Sequence, residues 1–137
     1  MFNDDLDIKG YRNMSIYLID TENVQTRFTQ LIHDLDQNDS IILFMIKDRH
    51  CVSLHIDDIV EINKKNIDIS IVDCFNGKAK KNALDFQLVS YLGYMISKQD
   101  KQRYVIVSND SGFDPVVEFW KSRLNINIER IAINAAE

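Results

Sequence analysis

The chain has 137 residues, of which 45% are hydrophobic and 27% are charged, and its formal net charge is -5. This composition is typical of a folded globular protein and excludes an intrinsically disordered chain. The acidic balance excludes attraction of a polyanion by the field of the whole protein, and no apolar run reaches the roughly 18 residues that would predict a membrane span.

The length predicts one compact domain, which we place at residues 14–137 after a polar extension at residues 1–13. The extension lacks the basic start and the apolar stretch of a signal peptide. Cys51 and Cys74 belong to no CxxC pattern, which predicts reduced thiols. We therefore expect a cytoplasmic protein that makes no membrane contact.

Short apolar runs rich in isoleucine and valine alternate with amphipathic stretches from residue 14 onward. This alternation is typical of βαβ units and a parallel sheet. It predicts an α/β, Rossmann-like three-layer fold with a central parallel sheet of five strands. In chain order, the predicted elements are a strand at 14–20, a helix at 24–36, a strand at 40–46, a helix at 56–62, a strand at 67–73, a helix at 84–96, a strand at 103–108, a helix that begins after Asp114 and a strand at 126–133.

Acidic and polar residues follow two of the predicted strands, where an open parallel sheet binds its ligands. Asp20 ends the first strand, and Ser108 and Asp110 end the fourth. If the strand order is 3-2-1-4-5, these two ends are neighbours. Asp85, in the first turn of the third helix, and Asp114, at the start of the last helix, lie on the same side of the sheet.

Four converging carboxylates would repel one another and raise at least one pKa unless a cation neutralised them. Ligands that are all oxygen favour Mg²⁺ or Mn²⁺ over zinc. Capping is the alternative explanation for two of the acids, because Asp114 precedes Pro115 and Asp85 lies three residues after Asn82. An aspartate directly after a buried run, as at Asp20 and Asp110, gains little from such a structural role.

Other patterns carry less information. His50, Cys51 and His55 lie close together but lack a fourth zinc ligand. The chain has four glycines and no GxGxxG, GxxxxGK[ST] or GxSxG motif, which makes a dinucleotide enzyme an unfavoured reading. The basic runs at 77–81 and 97–103 are typical of solvated faces, although they permit local contact with a nucleic acid.

Three segments carry the acids in a recognisable order: LIDTENV (18–24), KKNALDFQL (80–88) and VSNDSGFDPVVEFW (107–120). Together they resemble the PIN-like nucleases, in particular their NYN-type branch, over roughly residues 14–131. The resemblance implies a PIN-like domain with strand order 3-2-1-4-5. It also implies an acidic pocket that holds Mg²⁺ or Mn²⁺ for the hydrolysis of RNA, often in a homodimer.

The resemblance also implies roles for individual residues. Asp20 and Asp110 would be the principal metal ligands, with Asp85 and Asp114 completing the set and Glu22 as a ligand or a base. The remaining implied roles are the orientation of water or phosphate by Asn23 and Ser108, contact of Lys80 and Lys81 with the RNA backbone, and a further acid from among Asp57, Asp58 and Glu61.

The function implied is that of a metal-dependent endoribonuclease, in which a narrow RNA substrate or a protein partner would offset the acidic balance. Two alternatives remain open. One is a catalytically inactive PIN-like module that binds RNA or protein, although every acid position is filled. The other is a phosphatase with Asp20 as nucleophile, which is weakened because the next acid is Glu22 and no downstream lysine signature is evident.

Overall fold

The structure, a computed structural model, describes residues 14–47, 52–77 and 82–133. A parallel sheet runs through these residues in the order β3-β2-β1-β4-β5. The predicted fold class and strand order are therefore confirmed. The strands are β1 (Ser15–Asp20), β2 (Asp39–Ile46), β3 (Asp68–Cys74), β4 (Arg103–Val107) and β5 (Ile128–Ile131).

Helices connect the strands. They are α1 (Thr21–Val24), a 3₁₀ helix (Gln25–Asp34), α2 (Ile56–Lys65), α3 (Ala83–Lys98), a short 3₁₀ turn (Ser111–Phe113) and α4 (Asp114–Leu124). No helix in the described part of the chain has both the length and the apolar character that crossing a membrane requires.

The core consists of two apolar layers, one on each face of the sheet. Successive side chains of a strand point to opposite faces, so Ile16 and Leu18 enter the layer under α3 and α4. Tyr17 and Ile19 enter the layer under the long 3₁₀ helix. β1 is the central strand of the sheet, and every one of its residues is buried. It therefore gives rigid support to the site at its carboxyl end.

The helix predicted at 24–36 buries the face that the sequence predicts, but it is a 3₁₀ helix and not an α-helix. One α-turn ends at Val24, Gln25 adopts a positive φ of 53°, and the chain continues as a 3₁₀ helix. Phe28 and Ile32 nevertheless reach the core at the spacing that the sequence shows. The break at Gln25 prevents the continuous α-helix that periodicity alone predicts.

The last strand is shorter than the predicted range of 126–133, because the backbone at both ends bonds outside the sheet. The amide of Ile126 donates to the carbonyl of Trp120. The amide of Ile133 donates to the side chain of Asn109. Both isoleucines are buried, so their apolar character is explained by the core and not by strand pairing.

Tyr104 anchors the amino end of β4 against the end of α3. The side chain is fully buried, and its hydroxyl donates to the carbonyl of Gln99 at 2.6 Å, with the carbonyl of Met95 at 3.2 Å. Burial raises the pKa of this phenol to about 12. Tyr104 therefore stays protonated and fixes the loop at the sheet edge opposite the strand ends that carry the acids.

We predict that Tyr104→Phe lowers the free energy of unfolding by about 1 to 2 kcal/mol, because it removes a buried hydrogen bond. Urea denaturation at neutral pH measures this. Tyr94→Phe is the matched control, since Tyr94 lies on α3, the helix that accepts the Tyr104 bond near its end, and has 56% of its surface exposed. Equal stability of the two variants would contradict the assignment.

Candidate functional site

The site begins where β1 and β4 end side by side. Ile19 pairs with Val107 in the parallel ladder, so Asp20 and Ser108 follow as neighbours. The Ser108 hydroxyl donates to the carboxylate of Asp20 at 2.8 Å and accepts from the backbone amide of Asp110 at 3.1 Å. One buried hydroxyl thus joins the two acids that the sequence placed at these strand ends.

Asp20 is the buried carboxylate of the site, with 3% of its surface exposed. Its pKa is raised to about 6, chiefly by burial and also by the charges of Asp85 and Glu22. Hydrogen bonds from Ser108 and from the backbone of Asn23 oppose that shift. The fold therefore holds a carboxylate where ionisation is costly, which is typical of functional sites.

Asp85 and Asp110 complete the acidic group from two other elements. Asp85 lies in the first turn of α3, and its pKa is raised by burial, then by the charges of Asp110 and Glu22. Asp110 closes the short 3₁₀ turn by accepting from the amide of Gly112 at 2.8 Å. The structure thus brings Asp20, Glu22, Asp85 and Asp110 within electrostatic reach of one another.

Asp114 is held separately by Arg130 of β5. Its carboxylate accepts from Arg130 Nε at 2.7 Å and from Nη2 at 3.3 Å, and this pairing lowers the pKa of Asp114. Arg130 Nη1 also donates to the carbonyl of Ser108 at 3.0 Å. Asp114 is therefore linked to the site through Arg130 and the backbone that carries Ser108.

Helix capping does not explain these acids in the way the sequence allowed. Helix α4 begins at Asp114, its N-cap is Phe113, and no side chain caps it. Asn82 is the N-cap of α3 but makes no side-chain capping bond. The carboxylate that does cap a turn is that of Asp110.

Two asparagines tie the loops around the site. Asn23, predicted to orient water or phosphate, accepts from the backbone amide of Asn109 at 2.8 Å. The side chain of Asn109 both donates to and accepts from the backbone of Ile133. The oxygen of Asn23 therefore holds the loop after β4 in place.

The remaining predicted residues lie elsewhere or outside the described ranges. Lys80, Lys81, His50 and Cys51 are not among the described residues. Asp57, Asp58 and Glu61 lie on α2, where Glu61 pairs with Lys65 and His33. Arg103 begins β4 and bonds Glu129, so the basic run at 97–103 reaches the sheet at its opposite edge.

Sequence reasoning missed Arg130. Its only signal is a basic residue between isoleucines in the last predicted strand, a pattern shared by many exposed strand residues. Strand pairing places Arg130 next to β4, but its partner Asp114 is 16 positions away in the sequence. The two side chains meet because α4 packs next to β5, which the sequence pattern does not show.

The donor chemistry of the acidic group fits a hard divalent cation. Its donors are carboxylate oxygens, which Mg²⁺ and Mn²⁺ prefer, and a cation would relieve the repulsion that raises the pKa of Asp20 and Asp85. Within residues 14–47, 52–77 and 82–133, no three acid, histidine or cysteine side chains are already gathered closely enough to enclose an ion.

Comparison with known proteins adds a family assignment to this geometry. A family model described as a PIN domain matches residues 14–131, a range that includes all five strands and the acidic group. A search of the curated proteins finds no match.

We predict that Asp20→Asn stabilises the protein at neutral pH. A carboxyl with an ordinary pKa of 3.8 that rises to about 6 on folding costs little near pH 4 and nothing well below pH 3.8, where it is protonated in both states. Its full cost appears above pH 6. Removing the charge should therefore change stability little near pH 4 and add at most about 3 kcal/mol by pH 7.5.

Urea denaturation of both proteins at the two pH values, in the presence of a chelator, measures this difference. Asp100→Asn serves as the control, because Asp100 is an exposed residue of the α3–β4 loop. A loss of stability in Asp20→Asn that is the same at both pH values would contradict the burial argument.

Proposed function

Because the chain belongs to the PIN-domain family, whose members are generally nucleases that use divalent metal ions, we propose that it is a metal-dependent endoribonuclease. Its reaction would be the hydrolysis of phosphodiester bonds in RNA. The observation that supports this most directly is the buried Asp20, which is held in place by Ser108 and surrounded by other acids.

We assign the cation, Mg²⁺ or Mn²⁺, to Asp20, Asp85 and Asp110, with Glu22 as a further ligand or a base. When bound, such an ion stabilises negative charge on the phosphate and makes a bound water more acidic. Ser108 positions Asp20 through its hydroxyl. Asp114, predicted as a further ligand, acts in this proposal by holding Arg130 against the carbonyl of Ser108.

Electrostatics favour a narrow range of substrates. The net charge of -5 opposes general attraction to RNA, so contact has to be local. Lys80 and Lys81 are our candidates for the RNA backbone. A protein partner that delivers the RNA, a homodimer, a cytoplasmic location and membership of the NYN-type branch belong to the same proposal.

An inactive binding module is the less favoured alternative. Keeping an ionisable carboxyl at Asp20 costs folding free energy, since burial raises its pKa. A module that only bound RNA or protein would gain nothing from that cost, whereas a metal-dependent enzyme requires the charge. All the acid positions implied by the resemblance are also filled in this chain.

We predict that Asp20→Asn and Asp110→Asn each lower Mn²⁺-dependent cleavage of RNA by at least about 100-fold, the usual scale for loss of charge stabilisation at a transition state. Cleavage of labelled RNA by purified protein measures this. Asp100→Asn should cleave as the parent protein does. Parental activity in Asp20→Asn would contradict the proposed site.

Metal binding can be measured without turnover. We predict that Mn²⁺ raises the melting temperature of the parent protein, because a ligand that binds only the folded state stabilises it. The rise should be much smaller in Asp20→Asn and Asp110→Asn. It should persist in Asp114→Asn, since the carboxylate of Asp114 is committed to Arg130. Absence of any rise in the parent protein would favour the binding module.

A further inference from the structure

A cavity of about 350 Å³ opens between the start of α3 and the loop that leads into α4. Asp85 and Asp110 form its polar wall, and Phe86, Val89, Phe113 and Val116 form its apolar wall. Its volume is at the small end of the range for pockets that bind small organic groups, about 300 to 1,000 Å³. The cavity therefore joins the acidic group directly to an apolar surface.

Phe86 is the exposed member of the apolar wall. It follows Asp85 in the first turn of α3, and 67% of its surface is open to solvent. Phe113, in contrast, is buried in the core, and Val89 and Val116 are packed against it. The ring of Phe86 is therefore free to contact a ligand that enters the cavity, where it lies beside two carboxylates.

The two walls together specify the chemistry of that ligand. Under the proposed function, a cation at Asp85 and Asp110 would hold the phosphate, and the part of RNA next to that phosphate that offers a flat face to a phenyl ring is a nucleobase. Stacking of bases on aromatic side chains supplies affinity without a basic surface. This matters here because the net charge of -5 removes the usual electrostatic source of affinity.

We propose that this cavity is a base-binding subsite, in which Phe86 stacks on an unpaired nucleobase adjacent to the phosphate at the acidic group. This inference rests on the proposed function and deepens it, because it names the part of the substrate that the chain recognises. A paired base has its faces covered by its neighbours in the stack, so the subsite selects single-stranded or flipped-out nucleotides.

Binding without turnover tests the subsite. In the Asp20→Asn background with excess Mn²⁺, which Asp85 and Asp110 would still hold, fluorescence anisotropy measures affinity for a short labelled oligoadenylate. Phe86→Ala should weaken binding about 10-fold or more, the scale of losing one base stack, and Phe86→Trp should restore it. Phe119→Ala is the matched control, because Phe119 is 52% exposed on α4 and does not line the cavity.

An abasic probe sharpens the test. One abasic position is moved along the oligoadenylate. At the position that faces the subsite, the abasic probe should bind less tightly than the intact oligoadenylate when Phe86 is present, and the two should bind equally when Phe86 is replaced by alanine. Equal binding of Phe86→Ala and Phe119→Ala would overturn the subsite. So would a shift from dimer to monomer in Phe86→Ala with unchanged RNA binding, because the ring would then contact a second copy of the chain.

The two proposals fail in different ways. Cleavage of RNA by the parent protein, with equal binding by the Phe86 and Phe119 variants, would leave the nuclease assignment standing and remove the subsite. Phe86-dependent binding with no cleavage under any metal condition would keep the subsite and remove the nuclease assignment.

Discussion

The hydrogen bond between Ser108 and Asp20 is the interaction on which the site depends. It is 2.8 Å long and lies between two residues that are almost wholly buried. A buried carboxylate without partners would lose its proton only at a high free-energy cost. The hydroxyl of Ser108 and the amide of Asn23 lower that cost, so Asp20 retains a pKa of about 6 and is ionised at neutral pH.

Other hydrogen bonds of Ser108 connect Asp20 to two of the other acids. Ser108 also accepts from the amide of Asp110, and its carbonyl accepts from Arg130, which in turn holds Asp114. The acidic residues therefore fall into two groups, one gathered around Asp20 and one neutralised by Arg130. The carboxylates around Asp20 repel one another, so a cation would stabilise them. The charge of Asp114 is already balanced by Arg130.

Burial near this site also makes the thiol of Cys74 unreactive. The thiol is free and buried, and burial together with the charges of Asp73, Glu22 and Asp20 raises its pKa to about 11. A thiol in this state is a poor nucleophile and a poor metal ligand. The chemistry of the pocket therefore rests on oxygen donors.

The sequence by itself predicted the parallel sheet, because alternating apolar runs are typical of one, and it placed Asp20, Asp85 and Asp110 on the same side, because such a sheet gathers its strand ends at one edge. The strand order came from the resemblance to the PIN-like nucleases, since alternation does not specify which strands are neighbours. The 3₁₀ helix after Val24, the Arg130–Asp114 pair and the open ring of Phe86 were decided by tertiary structure. Each depends on which distant elements pack together. Periodicity reports which face of an element is buried, but it carries no information on which side chain lies opposite.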